Sequence, residues 1–133
     1  MTAKEYLSRY ASLDTEINCK LEQLAKLRAL STSIPVPSGG GSSGSPSDRT
    51  GNITAKIVDM ENEINAKIDR LVDLQKEIET VIEAVEDGRY RTILTERYIN
   101  RKKWEDIADI MHIDLRWLYV LHGRALKEIK IHH

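Results

Sequence analysis

Apolar residues recur at steps of three and four along two long stretches of the chain, which is the spacing of one face of an α-helix. The first stretch covers residues 3–31, with tyrosine, leucine and isoleucine at the repeating positions. The second covers residues 53–86, has heptad-like spacing and ends at the helix-stopping pair Asp87-Gly88. Because each apolar stripe is narrow and one-sided, neither helix is expected to be stable without a partner.

The two apolar stripes match each other when the helices run antiparallel. This pairing sets Tyr6 opposite Ile78 and Leu13 opposite Leu71. Residues 32–52 lie between the helices, contain all three prolines and are expected to form a flexible linker. A linker of this length also permits a parallel pairing or an exchange of helices between two chains.

Two lysines interrupt the matched stripes. Lys20 falls opposite Ile64 and Lys67 falls opposite Ile17, in adjacent layers close to glutamates. One interpretation is a lysine layer in the core that fixes register or oligomeric state, as single polar core residues do in coiled coils. The alternative is that both lysines extend outward along the helix surface.

After Gly88 the apolar pattern changes to three shorter helices. We expect them over residues 89–99, 104–111 and 115–131, with a turn from His112 to Asp114. The last two have the spacing of a helix-turn-helix, in which two helices cross tightly around a small residue. His112 is then expected in a left-handed conformation, and the Asp114 carboxylate is expected to cap the last helix. The residues at the crossing are Ile107, Ala108, Met111, Ile113, Leu118 and Leu121.

These patterns predict an all-α protein built in two parts. Residues 1–87 form a long antiparallel, coiled-coil-like helical hairpin that serves oligomerisation, and residues 88–133 form a three-helix helix-turn-helix domain. Charge divides at the same place. The first part holds ten basic and fifteen acidic side chains and the second holds ten and six, for a net charge of −1. The basic second part is the candidate partner of a polyanion.

A basic helix-turn-helix predicts binding to double-stranded DNA, with outward residues of the last helix in the major groove. Arg116 can take guanine bidentately, and Arg124 suits a phosphate. Trp117 and Tyr119 can contact thymine methyl groups or the sugar-phosphate backbone. Because exposed tryptophan is uncommon, Trp117 is expected to contact DNA, polymerase or a dimer partner, with local packing as the alternative.

Three consecutive cations, Arg101, Lys102 and Lys103, precede the first helix of the motif. They are expected to clamp the DNA backbone, and a solvated run of charge is the alternative. Trp104, which follows them, is expected to pack in the core and not to contact bases.

The composition argues against an enzyme. Cys19 is the only cysteine, so the chain has neither an intrachain disulfide nor a paired-cysteine metal site. The four histidines belong to no zinc-protease motif or catalytic triad, and no glycine-rich phosphate loop follows a strand. We therefore expect no catalytic residues, no metal and no cofactor. The N-terminus does not resemble a signal peptide and no long apolar run occurs, which predicts a cytoplasmic protein without membrane association.

The stretch LTERYINRKKWEDIADIMHIDLRWLYVLHGRALKEI resembles region four of bacterial sigma factors, whose helix-turn-helix docks on promoter DNA. From MTAKEYL through IVDMENEINAKIDRLVDL to LHGRAL, the chain is similar to small proteins from phages and prophages of Gram-positive bacteria. These are grouped with phage transcription regulators of the ArpU and RinA kind. The resemblance implies a phage-encoded regulator that acts beside host RNA polymerase in the bacterial cytoplasm. Its DNA-facing positions would be Asp114, Arg116, Trp117, Val120 and Arg124.

The chain departs from the sigma-like pattern at four positions. Arg101 and His112 stand where glycine is common, and Lys103 replaces a usual serine or threonine cap. Val120 replaces a residue that is often basic. These changes add charge before the motif and remove charge from its recognition face.

Three functions fit this pattern. The leading interpretation is a transcription regulator that binds double-stranded DNA as a homodimer, together with host RNA polymerase. The second is a sigma mimic that binds polymerase without specific DNA binding, as an adaptor or inhibitor. The third is a DNA-packaging protein, since small terminase subunits also join a helix-turn-helix to long helices.

Overall fold

The computed structural model describes the backbone of residues 1–33 and 45–131, and the side chains of residues 1–32 and 51–131. Within these ranges the chain is helical and contains no strand. The elements are α1 (Ala3–Ser33), α2 (Ser45–Glu83), α3 (Gly88–Leu94), a π-helical segment (Thr95–Ile99), α4 (Trp104–Met111) and α5 (Leu115–Glu128). The all-α class is confirmed. None of the helices in the described ranges is long and apolar enough to cross a membrane.

The second long helix begins earlier than its apolar pattern predicts. Residues 45–52, expected in the linker, belong to α2, and residues 34–44 of that linker lie outside the described residues. Pro46 falls in the first turn of α2. Backbone N–H groups in a first turn have no acceptor within the helix, so the N–H that proline lacks costs no helical hydrogen bond there. A proline in this position therefore starts the helix, although in an interior position it would break one.

The boundary between α2 and α3 is set by Asp87. Its carboxylate accepts a hydrogen bond of 2.8 Å from the backbone N–H of Arg89, which caps α3. Arg91 donates to the carbonyl oxygens of Val85 and Glu86 at 2.6 and 2.7 Å. These contacts end α2 at Glu83, three residues before the end that the heptad pattern predicts.

The chain divides into two compact units that do not follow the predicted boundary at residues 87 and 88. One unit combines Met1–Asp14 with Arg70–His133, and the other is Thr15–Asp69. The first unit therefore joins both ends of the chain, and the predicted boundary lies inside it.

The buried core of this unit consists of two clusters. The first contains Tyr6, Leu7, Leu74, Ile78, Ile82, Val85, Leu94, Tyr98 and Ala125, and the second contains Ile93, Ile107, Ala108, Leu118 and Leu121.

In the unit Thr15–Asp69, the two lysines that interrupt the stripes pair across α1 and α2. The Lys67 ammonium lies 2.6 Å from a Glu16 carboxylate oxygen, and the Lys20 ammonium lies 3.2 Å from one of Glu63. Both glutamate side chains are about half exposed, at 51% and 47%. The charged groups therefore lie at the edge of the helix pair, while Ile17 and Ile64, each 3% exposed, fill its centre. The lysine side chains are more covered, at 29% for Lys20 and 18% for Lys67, as expected when their stems extend outward along the helix surface. Such partly exposed pairs contribute about 0–1 kcal/mol each.

Candidate nucleic-acid interface

The turn between α4 and α5 has the local conformation that its sequence predicts. His112 ends α4 in the left-handed region, at φ 56° and ψ 43°. The N–H of Ile113 donates to the carbonyl oxygen of Ala108 at 3.1 Å, which satisfies one of the last carbonyls of α4. Asp114 then caps α5, because its carboxylate accepts a 2.7 Å hydrogen bond from the N–H of Trp117. The expected conformation of His112 and the expected cap at Asp114 are both present.

Helix α5 has one buried and one exposed side. Leu118, Leu121 and Ala125 are at most 1% exposed and belong to the two core clusters. Large apolar side chains on the other side face solvent, since Trp117 is 39% exposed and Val120 is 41% exposed. The outward positions predicted from the sequence are all exposed, namely Arg116, Trp117, Tyr119, Val120 and Arg124.

Aromatic and basic side chains contact one another along the exposed side of α5. The Arg124 guanidinium lies 5.2 Å from the centre of the Trp117 ring, a cation–π distance. Tyr119 meets Trp104 edge to face, with ring centres 5.5 Å apart. Trp104 is half-buried and packs against the second core cluster, as predicted for it. The exposed side of α5 is therefore partly ordered by ring contacts within the protein.

The three cations before α4 differ in their surroundings. An Arg101 Nη1–Asp14 Oδ2 ion pair measures 2.7 Å, and a Lys102 Nζ–Glu96 Oε2 pair measures 2.6 Å. The Lys102 ammonium holds the pKa of the Glu96 carboxyl below its usual range, although burial opposes this effect. Lys103 is exposed and begins α4 without a side-chain cap. Two of the three residues predicted to contact the DNA backbone, Arg101 and Lys102, therefore form ion pairs within the protein.

A buried pair that the sequence interpretation missed lies behind α5. The Tyr98 hydroxyl and the Nε2 atom of His122 are 2.6 Å apart, and both residues are at most 9% exposed. Burial is the largest cause that lowers the pKa of His122 to about 4, with further lowering by the charges of Lys4 and Arg97. His122 stays neutral at neutral pH, so it is structural in this position. The sequence does contain a signal for the burial of His122, because this residue falls on the same helical face as Leu118 and Ala125.

The Asp114 cap gives a direct test of the turn. Replacing Asp114 with alanine is expected to lower the free energy of unfolding by about 1 kcal/mol, because the N–H of Trp117 loses its acceptor. Urea unfolding followed by circular dichroism measures this change. Asp114→Ser is the control and retains most of the stability, since serine also caps helices. Equal stability of the alanine variant and the wild type would show that the cap contributes nothing.

In the described part of the chain, no group of three or more histidine, cysteine, aspartate or glutamate side chains is placed to hold a metal ion.

No curated protein and no solved structure matches the chain. One family model does match it, over residues 38–130, which include α2 from its first residue and all of α3 to α5. The chain therefore belongs to the family described as "Protein of unknown function (DUF1492)".

Proposed function

We propose that the protein is a phage-type transcription regulator that binds double-stranded DNA by placing α5 in the major groove. The observation that carries this proposal is the two-sided character of α5. Leu118 and Leu121 anchor it in the core, while Arg116 and Arg124 lie on the exposed side with two aromatic residues. A helix anchored in this way next to a short turn is the means by which helix-turn-helix proteins read base edges.

The helix-turn-helix assignment of α4 and α5 is supported by their shared core and by their connection. Ile107 of α4 and Leu118 of α5 are both fully buried in one cluster. Only three residues separate the helices, and the first of them, His112, has the left-handed conformation that turns the chain sharply. The N-terminal turn of α5, with Arg116, would then enter the groove first.

The exposed residues of α5 divide into two roles under this proposal. Arg116 lies near the start of the helix, where a guanidinium can donate two hydrogen bonds to guanine. Arg124 lies two turns later and is held over the Trp117 ring, which suits a contact with a phosphate. Tyr119 and Val120 offer apolar surface to thymine methyl groups.

The long helices are proposed to assemble two copies. In the unit Thr15–Asp69, Glu16 pairs with Lys67 and Lys20, one turn later on α1, pairs with Glu63, one turn earlier on α2, which supports an antiparallel hairpin. A homodimer would present two α5 helices to half-sites about one helical turn apart. Light scattering of the full chain measures the number of subunits, and a large ring would instead favour a packaging role.

Duplex binding by the full chain tests the proposed readout. Selection from a random duplex pool gives a preferred sequence, and fluorescence anisotropy gives its affinity at several salt concentrations. Arg116→Ala is expected to cost about 1–3 kcal/mol of binding and to relax the preference at one base pair. Arg124→Ala is expected to weaken binding to all sequences and to reduce the salt slope by about one.

Arg70→Ala is the matched control, because Arg70 is also an exposed arginine but belongs to α2 and not to α5. This variant should bind the duplex with the affinity and the salt slope of the wild type. If Arg116→Ala and Arg124→Ala also retain full duplex binding at low salt, α5 is not the DNA-binding element and the proposal is wrong.

A second candidate is an adaptor or inhibitor that binds host RNA polymerase without reading DNA. It is favoured by large apolar side chains that face solvent on both helices, since Ile110 of α4 is 45% exposed, and Trp117 and Val120 of α5 are 39% and 41% exposed. Exposed apolar surface can mark a protein contact. Capture of purified polymerase by the full chain in the presence of nuclease would support it, provided that Val120→Lys abolishes the capture. Failure to retain polymerase would exclude it.

A further inference from the structure

A recess beside the start of α4 is lined by side chains that the proposed DNA readout by α5 does not use. Its volume is about 270 Å³, and its walls come from the first turns of α1, from the π-helical segment and from the residues that begin α4. All of these segments belong to the unit that joins Met1–Asp14 with Arg70–His133. The recess is therefore a feature of one compact body.

The wall from α1 carries one cation and two small side chains. Lys4, Ser8 and Ala11 line the recess, and their spacing puts them on one face of the helix. Ser8 and Ala11 are too small to fill the space between α1 and the opposite wall. The Lys4 ammonium and the Ser8 hydroxyl bring hydrogen-bond donors to this wall.

The opposite wall carries two arginines that are held in place. The Arg97 guanidinium lies 4.3 Å from the centre of the Trp104 ring and donates through Nη1 to the carbonyl oxygen of Lys102 at 3.0 Å. Arg101 pairs with Asp14 at 2.7 Å. Since a guanidinium has five N–H donors, these contacts fix the orientation of Arg97 without using all of its donors.

The charged side chains that line the recess are all cations. Lys4, Arg97 and Arg101 converge on it, and none of its described lining residues is acidic. The charges of Lys4 and Arg97 reach the neighbouring imidazole as well. After burial, they are the causes that lower the pKa of His122. Because Asp14 pairs with Arg101, the repulsion lies mainly between the charges of Lys4 and Arg97, and an anion in the recess would offset it.

We propose that this recess binds a phosphate group. A phosphate dianion matches the charge of the recess and accepts several charge-assisted hydrogen bonds at once, from Lys4, Ser8 and Arg97. The phosphate belongs either to a DNA backbone or to a free, small phosphorylated ligand, and the chemistry of recognition is the same for both. The site does not require α5 to bind DNA, so it can stand if the proposed readout fails.

The indole N–H signal of Trp104 in the NMR spectrum of the full chain tests the site, because this ring lines the recess. The probes are sodium phosphate, compared with sodium chloride at equal ionic strength, and a duplex of random sequence. We expect a saturable shift of the Trp104 signal, while the Trp117 signal in phosphate stays unchanged. Lys4→Gln and Arg97→Gln should each weaken phosphate binding about tenfold.

Lys76→Gln is the control, since Lys76 is an exposed lysine on α2 that does not line the recess. It should bind phosphate as the wild type does. Lys4 is exposed, so Lys4→Gln is expected to keep the fold and to carry the test even if Arg97→Gln loses stability. Arg116→Ala should leave the phosphate titration unchanged, which separates this site from the readout by α5.

The outcomes are distinct. Displacement of phosphate by the duplex supports a site for a DNA backbone phosphate, and saturable phosphate binding that the duplex does not displace supports a site for a free phosphorylated ligand. The proposal is overturned if neither probe shifts the Trp104 signal saturably, or if the shift is undiminished in Lys4→Gln.

Discussion

Replacing Leu7 with alanine is expected to lower the free energy of unfolding by about 2–5 kcal/mol. Leu7 is fully buried in a cluster with Leu94, Tyr98 and Ala125, so the change leaves a cavity at the centre of the unit that contains α3 to α5. Urea unfolding followed by tryptophan fluorescence measures the effect. Both tryptophans lie in residues 88–133, and a shifted fluorescence midpoint would therefore report that the first helix stabilises the C-terminal helices.

Leu21→Ala is the matched control for this prediction. Leu21 lies on the same helix but is 42% exposed and belongs to the unit Thr15–Asp69, so its truncation is expected to cost less than about 1 kcal/mol. If Leu7→Ala loses helical circular dichroism while the tryptophan midpoint stays that of the wild type, residues 1–14 do not fold cooperatively with the C-terminal helices. The expected result also means that binding experiments require the full chain and not a fragment that begins at residue 88.

The spacing of apolar residues predicts a helix well where one face of the helix is buried and the other is exposed. The apolar stripe of residues 3–31 gives α1 to within two residues at its C-terminal end, and the inward positions of α5 are buried as expected. Local capping chemistry is also readable, since Asp114 caps α5 and His112 adopts the left-handed conformation. These features depend on residues that are close in sequence, so the sequence contains them directly.

Contacts between distant residues are the part that periodicity leaves open. The sequence indicates that Tyr6 and Leu7 face a partner, but it does not indicate that Leu94 and Ala125 share their core. The ion pair of Arg101 with Asp14 joins residues 87 positions apart and has no local signature. The boundary that the apolar pattern predicts at residues 87 and 88 therefore falls inside the unit that combines Met1–Asp14 with Arg70–His133.

Arg101 illustrates how a departure from a sequence pattern can have a structural cause. The sigma-like pattern often has glycine at this position, and Arg101 indeed has a positive φ of 56°. A side chain in that region costs about 1 kcal/mol relative to glycine. Here the side chain reaches Asp14 on α1 and also lines the recess for which we propose a phosphate. An arginine at this position therefore links the turn before α4 to the first helix.

Acidification is expected to destabilise the fold through His122. Its folded pKa of about 4 lies below the value of 6.5 for a free histidine, because burial and the charges of Lys4 and Arg97 disfavour the imidazolium. The unfolded chain therefore takes up a proton before the folded chain does. Stability from the neutral imidazole is complete above pH 6.5, falls as the pH drops towards 4, and changes no further below it. At about 1.4 kcal/mol per pH unit, the loss amounts to roughly 3 kcal/mol.

His122→Gln isolates this effect, because glutamine can hydrogen-bond to the Tyr98 hydroxyl without titrating. At neutral pH we expect the variant to have a lower free energy of unfolding than the wild type. This difference should shrink as the pH approaches 4, because only the wild type loses stability by protonation of the imidazole. Urea unfolding at each pH measures it. The carboxyl of Glu96, whose pKa is also lowered, titrates in both proteins and cancels in the comparison. His112→Asn is the control, since His112 is exposed and asparagine tolerates its left-handed backbone. An unchanged pH slope in His122→Gln would mean that the buried imidazole does not drive acid unfolding.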